Sequence, residues 1–446
     1  MCRIMNRRIL AALLLRLMPV LALAGAMLPA AGAESEPMAQ HPRHLGVASC
    51  ASSLCHGSAK PTSAYAVQQN EYVVWSHFDL HARAYRVLLD ERAAAIARRL
   101  GLPPAYEAKV CLDCHTDNVE RAARGPRFQL SDGIGCERCH GAAEQWIASH
   151  DDAPKVTHAD NLAHGLTALE QPRVRAEVCL DCHVGNNAQL ATHRMLAAGH
   201  PRLAFELDTF TELWRTSGGR EHYRVDDDYR ARKGAATATE TWSAGLTAQI
   251  ERQLELIRGP KFSTGSVFPE LALFNCYSCH RSMRLKRWQD KGGEFAPGAL
   301  RFDDGSLRMF EALVAARQPA ALDALRDRVR SWQLAATSDR PAVVSEGEAL
   351  ARLVREFDKQ ATVGAWSSSE KRSALDYLVK GASRGSYPDY ASAEQCAMSI
   401  VVLLADLGGR PTDDPAIGQV FSALNDDDRY DATLFRQILG RLERQP

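Results

Sequence analysis

Between Cys50 and His280 the chain repeats one short unit five times: two cysteines, with a histidine directly after the second. The copies end in Cys50…Cys55-His56, Cys111…Cys114-His115, Cys136…Cys139-His140, Cys179…Cys182-His183 and Cys276…Cys279-His280, the first with four residues between its cysteines and the others with two. Such a unit is the attachment sequence of c-type haem. The two thiols form thioethers with the vinyl groups on one edge of the porphyrin, and the histidine swings under the iron as its proximal ligand. Zinc and disulfides are the rival readings. Cys111, Cys114, Cys136 and Cys139 have the spacing of a zinc ribbon, and paired cysteines in an oxidising compartment become disulfides. Neither needs a histidine after every second cysteine. Histidine is 15 of 446 residues, so composition alone would place one at all five positions on the order of one time in ten million.

This repeat limits the fold. The unit-bearing stretch spans 231 residues, about 46 for each of five haems, too few to wrap a conventional apolar core around every porphyrin. The haems themselves are expected to act as core, surrounded by short helices and long loops with almost no sheet. Gly133, Gly135, Gly141, Pro172, Gly199 and Pro201 punctuate the stretch as such loops require. Val110-Cys-Leu-Asp-Cys-His115 recurs as Val178-Cys-Leu-Asp-Cys-His183, through internal duplication or convergence on a good attachment sequence. Beyond Gly298 no such unit occurs. There Leu322, Leu325, Val329 and Trp332 form one apolar stripe at helical spacing, and Leu350, Leu353, Val354 and Phe357 another. Ser367 three before Glu370 is a capping box for a helix carrying Leu375, Leu378 and Val379. The fold class expected is mainly α. A multihaem cytochrome domain over 34–297 is followed by a haem-free bundle of about six helices over 298–446, which caps exposed haem surface or docks a partner.

The first 33 residues read as a secretory leader. Arg3, Arg7 and Arg8 precede an apolar run from Ile9, and Ala31-Gly32-Ala33 supplies the small residues of a cleavage site. Arg16 and Pro19 interrupt the run, which leaves it too short to span a bilayer. A soluble periplasmic protein starting near Glu34 is expected, in keeping with haem attachment after export. Lys plus Arg and Asp plus Glu number 54 each, and the leader holds four arginines and no acid, so the remainder has an excess of four acidic residues. Five haems add about ten propionate charges, which disfavours nucleic acid and suits a redox partner with a basic face. With Cys2 in the leader and ten cysteines in the units, Cys396 remains, in an apolar helical pattern that suits a buried, inert thiol.

Ten histidines lie outside the units: His41, His44, His77, His81, His150, His158, His164, His193, His200 and His222. That is enough to give every iron a second imidazole, the ligation that suits electron transfer because both oxidation states keep their ligands. His77 and His81 are four apart and on a helix share a face, of which one is needed. His193 and His200 are seven apart, two helical turns ending at Gly199, and serve two different haems on that reading. His150, His158 and His164 follow the third unit. His41 and His44 sit in a polar lead-in and are expected to be solvated, and His222 is held in reserve.

The segment Asp132-Gly-Ile-Gly-Cys-Glu-Arg-Cys-His-Gly141, together with Trp75 to Tyr85 and its Asp79-Leu-His-Ala, resembles the cytochrome c-554 family of multihaem cytochromes, which is related to the haem core of hydroxylamine oxidoreductase and to octahaem cytochromes. The resemblance covers roughly Cys50 to His280. It implies closely stacked haem pairs, mostly bis-histidine ligation and periplasmic electron transfer, and it makes His81 and His150 distal ligands. His158, His193 and His200 complete the set from context. This chain departs from the tetrahaem member in having five units and a unit-free C-terminal region.

Three functions follow as expectations. The first is an electron carrier between a quinol-linked donor and a periplasmic acceptor through five haems c. The second is a reductase or oxidase of a small nitrogen or sulfur compound, which needs one iron with an open face; the unusual first unit is the place to look for it. The chain has no Cys-x-x-Cys-Lys unit, so the lysine-ligated haem of pentahaem nitrite reductases is missing. The third is a non-redox sensor or structural subunit. The carrier is the preferred reading.

Overall fold

The computed structural model describes residues 42–443 apart from 63–66, 151–154, 216–220, 264–268, 281–298 and 362–364. The leader, His41 and the expected domain boundary at 297/298 lie outside them. Eighteen α-helices are found among the described residues and no β-strand; backbone pairing between strands is reduced to two isolated bridges, His44 with Arg124 and Phe274 with Phe302. The chain is mainly α. None of its described helices is long and apolar enough to cross a membrane.

From residue 42 to 237 the helices are short: α1 (Glu71–Phe78), α2 (Glu91–Leu100), α3 (Lys109–His115), α4 (Cys136–His140), α5 (Ile147–His150), α6 (His158–Ala163), α7 (Pro172–His183), α8 (His193–Ala197), α9 (Leu207–Arg215) and α10 (Asp227–Lys233). Local chemistry sets their ends. Asp90 caps α2 by accepting from the Ala93 N–H, and Gly101 closes it in the left-handed conformation. Two expected helices are shorter than their spacing suggested. α1 stops at Phe78 because Asp79 turns extended, and its carboxylate takes the His81 N–H at 2.8 Å. His77 and His81 therefore do not share a helix face. α8 starts at His193, capped by Thr192, and ends before Gly199, whose φ of 110° no helix continues through; His200 lies beyond it. The apolar clusters of this half are small, one around Leu88, Ala97, Cys111 and Leu112 and one around Ala176, Leu180, Phe205 and Leu207.

The second half is built differently. α11 (Ala238–Arg258) opens with a reciprocal capping box between Thr237 and Glu240 and buries Trp242, Leu246, Ile250, Leu254 and Ile257 along one side. It packs on α7 and α9 before it and on α12 (Gly305–Arg317), α14 (Arg340–Ala361) and α16 (Tyr390–Asp406) after it. Around these lie α13 (Leu322–Ala335), α15 (Ser368–Arg384), α17 (Pro415–Ser422) and α18 (Ala432–Leu442). Among the described residues seven helices, where about six were expected, follow residue 298. Of the expected stripes, Leu325 and Trp332 on α13, and Leu350, Val354 and Phe357 on α14, are at most 2% exposed, while Leu322, Val329 and Leu353 are half-buried at the edge of the same cluster. The capping box of Ser367 and Glu370 opens α15. Cys396 is fully buried in this core, where burial pushes its thiol well up.

One apolar cluster runs from Leu190 through α11 to Leu439 and so spans both sides of residue 298. Polar ties cross the same seam. Arg202 pairs with Glu394 at 2.8 Å, the Gln395 amide donates to the Phe205 carbonyl at 2.9 Å, and Asp406 accepts from the Thr239 N–H while pairing with Lys371 at 2.9 Å.

Candidate haem sites

Three of the five units sit on helices whose last residue is the unit's histidine: α3 ends at His115, α4 at His140 and α7 at His183. One helical turn between two cysteines points both thiols the same way and brings the histidine round beside them. The fifth unit makes the same closure on a single turn, with the His280 N–H bonded to the Cys276 carbonyl at 2.7 Å. The first unit reaches it by another route. Residues 51–54 loop outward, held by the Cys55 and Gly57 N–H groups on the Ser52 carbonyl, and the His56 N–H still bonds the Cys50 carbonyl at 3.2 Å. The longer spacer is absorbed without moving histidine away from the first cysteine.

Among the described residues the cysteines form no disulfides, and no group of three or more His, Cys, Asp or Glu side chains gathers as a metal site. The zinc-ribbon quartet is split. The Cys50 thiol instead lies beside that of Cys136, and Cys114 beside that of Cys182, which sets the first unit beside the third and the second beside the fourth. Arg138 joins the third to the fourth, 3.6 Å from Asp181 and 3.8 Å from the Cys182 sulfur.

Four unit histidines face a second histidine. Ring centres are 6.1 Å apart for His56 and His150, 6.3 Å for His183 and His81, 6.3 Å for His115 and His200, and 6.2 Å for His280 and His193. A metal–imidazole bond is about 2 Å long, so two imidazoles on opposite faces of one iron have their centres about 6 Å apart. The planes are near parallel in the first pair (16°), tilted in the last (38°) and near perpendicular for His183/His81 (83°) and His115/His200 (81°).

The other ring nitrogen, Nδ1, is tied down in several of these residues, which leaves Nε2 for a metal. His56 Nδ1 lies 2.9 Å from Glu71 Oε2, His81 Nδ1 3.0 Å from Asp79 Oδ1, His115 Nδ1 2.9 Å from the Ala84 carbonyl, and His200 Nδ1 2.8 Å from the Pro201 carbonyl. Burial, helped by His81, holds His183 down to about 4, and burial with the charges of His222 and Lys233 holds His140 down to about 3. Both imidazoles are neutral at ordinary pH, the form a metal needs. These residues suit iron porphyrin in donor type and spacing.

The remaining histidines have other surroundings. His158, expected as a ligand, has its Nε2 2.9 Å from Glu170 Oε1, both side chains largely buried. His164 bonds the Asp160 carbonyl, and His77 is exposed. His44 is not solvated: its Nδ1 is 2.6 Å from Asp117 Oδ2 with its side chain 15% exposed. Burial pulls its pKa down, but the hydrogen bond and charge of Asp117 outweigh that and raise it. His222, the reserve, acts electrostatically on His140; its segment is anchored where the Gln68 amide donates to the Glu221 carbonyl and Arg224 to the Thr62 carbonyl.

The two segments that carry the resemblance pack on each other. The Trp75 indole N–H donates to the Ile134 carbonyl at 3.0 Å, and the Ile134 N–H to the His81 carbonyl at 3.1 Å. Gly133, at φ 74°, lies where a Cβ would meet that His81 carbonyl at 2.7 Å. Glu137 is buried and accepts from the N–H groups of Leu45, Gly46 and Ala143, each at 2.7 Å, so it ties the lead-in to the third unit.

Cysteine pairs each followed by histidine, on a scaffold whose described residues are helical without sheet, are the marks of a c-type cytochrome. Residues 48–141 match the family model of cytochrome c554 and c-prime, and over this stretch the chain is cytochrome c-554-like, with haem c as cofactor and electron transfer as its role. Neither the curated proteins nor the solved structures compared with the chain match it.

Proposed function

We propose that the protein is an exported pentahaem cytochrome that carries electrons between a quinol-linked donor and a periplasmic acceptor. Cys50/Cys55, Cys111/Cys114, Cys136/Cys139, Cys179/Cys182 and Cys276/Cys279 hold the porphyrins. His56, His115, His140, His183 and His280 are the proximal ligands. His150, His200, His81 and His193 take the far faces of the irons of His56, His115, His183 and His280. His158 was expected from sequence as a distal ligand, with no iron assigned to it, and the iron of His140 is the one left. The bond of His158 to Glu170 and the electrostatic nearness of His222 to His140 support His222 instead. Each bound haem takes up or releases one electron. Residues 34–297 carry the haems, and the helices beyond 298 support them through α11.

The observation that carries this reading is the repeated separation of 6.1–6.3 Å between paired imidazoles. An iron with two imidazoles binds no substrate and reorganises little. The unusual first unit, where an open iron was most suspected, faces His150. Electron paramagnetic resonance on oxidised holoprotein, with the haem count fixed by intact mass, tests the proposal. Five haems, all low-spin, are expected. A high-spin signal from one haem means an open face and turns the reading to a reductase of a small nitrogen or sulfur compound.

A further inference from the structure

Resting on the ligation just proposed, we infer that two buried carboxylates, Glu71 and Asp79, set the reduction potentials of two irons, holding those of His56 and His183 below that of His115. An imidazole that donates its Nδ1–H to an ionised carboxylate shares its proton, gains part of the negative charge of an imidazolate and passes electron density through Nε2 to iron. Ferric iron gains more from this than ferrous iron, so the potential falls. A neutral carbonyl on the same nitrogen does this weakly.

The structure sorts the sites by that difference. Glu71 Oε2 is 2.9 Å from His56 Nδ1, and its side chain is 13% exposed. The Gln68 N–H holds its other oxygen at 2.9 Å. The turn before α1, with Gln69 at φ 59°, bends the chain so that the Tyr72 N–H reaches the His56 carbonyl at 3.0 Å, which clamps backbone and side chain of His56 to the same helix start. Asp79 Oδ1 is 3.0 Å from Nδ1 of His81, the imidazole opposite His183, and the Asp79 side chain is 6% exposed. On the iron between His115 and His200 both Nδ1 atoms face backbone carbonyls, those of Ala84 and Pro201. Low exposure keeps both carboxylates in surroundings of low dielectric, where their charge counts most. Since α3 and α7, which end at His115 and His183, pack on each other, the irons of His183 and His115 are neighbours, and electrons run downhill from the first to the second. The carboxylates thus give the haem chain a direction.

Glu71→Gln keeps the size and an acceptor oxygen and removes the charge; Asp79→Asn does the same at the other iron. Each holoprotein is titrated potentiometrically by haem absorbance, with haem count by mass and spin state by electron paramagnetic resonance. Expected are five low-spin haems in each variant, one of the five transitions moved to higher potential, and a different transition moved in each. Glu71→Asp, which keeps a carboxylate, returns the transition toward its original place. Five low-spin haems with all transitions unmoved in both variants overturn the inference while leaving the haem reading intact. Fewer than five haems on the unaltered protein overturn the haem reading itself. If Glu71→Gln drops its haem, Asp79→Asn decides alone by the same criterion.

Discussion

Where an acceptor holds Nδ1, as at His56, His81, His115 and His200, it helps to fix the plane of that imidazole. Parallel rings align their π orbitals and split the iron d orbitals strongly, whereas perpendicular rings leave two of them nearly degenerate. His56/His150 at 16° and His183/His81 at 83° stand at the two extremes. Ferric holoprotein is therefore expected to give two families of low-spin signals: ordinary rhombic spectra from His56/His150 and His280/His193, and broad spectra with one very large g value from His183/His81 and His115/His200. Five signals of one type would contradict the ring orientations. His44 supplies a second residue-scale expectation. Its pKa is raised by Asp117, so the stability this pair contributes is full below the unfolded value of about 6.5 and is lost as pH rises through the higher folded value. His44→Gln is expected to lower stability more at about pH 5.5 than at about pH 8.5, as read by urea titration at both.

Single helices show where local signals sufficed and where a neighbour took over. The capping boxes of Thr237/Glu240 and Ser367/Glu370 were each settled within four residues, and the second was legible as written. The helix expected to run from His193 to Gly199 was not, because it ends at Ala197 and the turn at Gly199 leaves His200 beyond its end. Two glycines within helices carry the contrast further. Gly418, on α17, has nothing within 4 Å of an added Cβ, whereas at Gly245, on α11, that Cβ would run into Leu207 of α9. Alanine normally gains up to about 1 kcal/mol over glycine inside a helix. Gly418→Ala is expected to follow that rule. Gly245→Ala is expected to destabilise the holoprotein by about 1–3 kcal/mol, because α9 and α11 must move apart. Urea midpoints of the two variants decide it, and equal stabilisation by both would mean that the helices are not so closely packed.

For the whole molecule, one apolar cluster joins α11 to the helices that follow residue 298. Removing everything after residue 297 would bare Trp242, Leu246, Ile250, Leu254 and Ile257, all now at most 3% exposed. A fragment ending there is expected to aggregate or lose haem, whereas the full chain stays monodisperse by light scattering; a soluble, fully loaded fragment would show that the haem-bearing part stands alone. The sequence by itself marked the candidate haem-attachment units, because two thiols and a histidine act through covalent chemistry within a few residues. It also determined the helical class of the C-terminal half, through apolar stripes and caps that are equally local. Which imidazole faces which was left to the tertiary structure. His150 lies opposite His56, and His81 opposite His183, though each pair is far apart in the chain. His158 and His150 look alike in sequence, yet one meets Glu170 and the other a unit histidine. No spacing rule separates them, because a ring reaching the far face of a porphyrin comes from whichever loop the packing brings there.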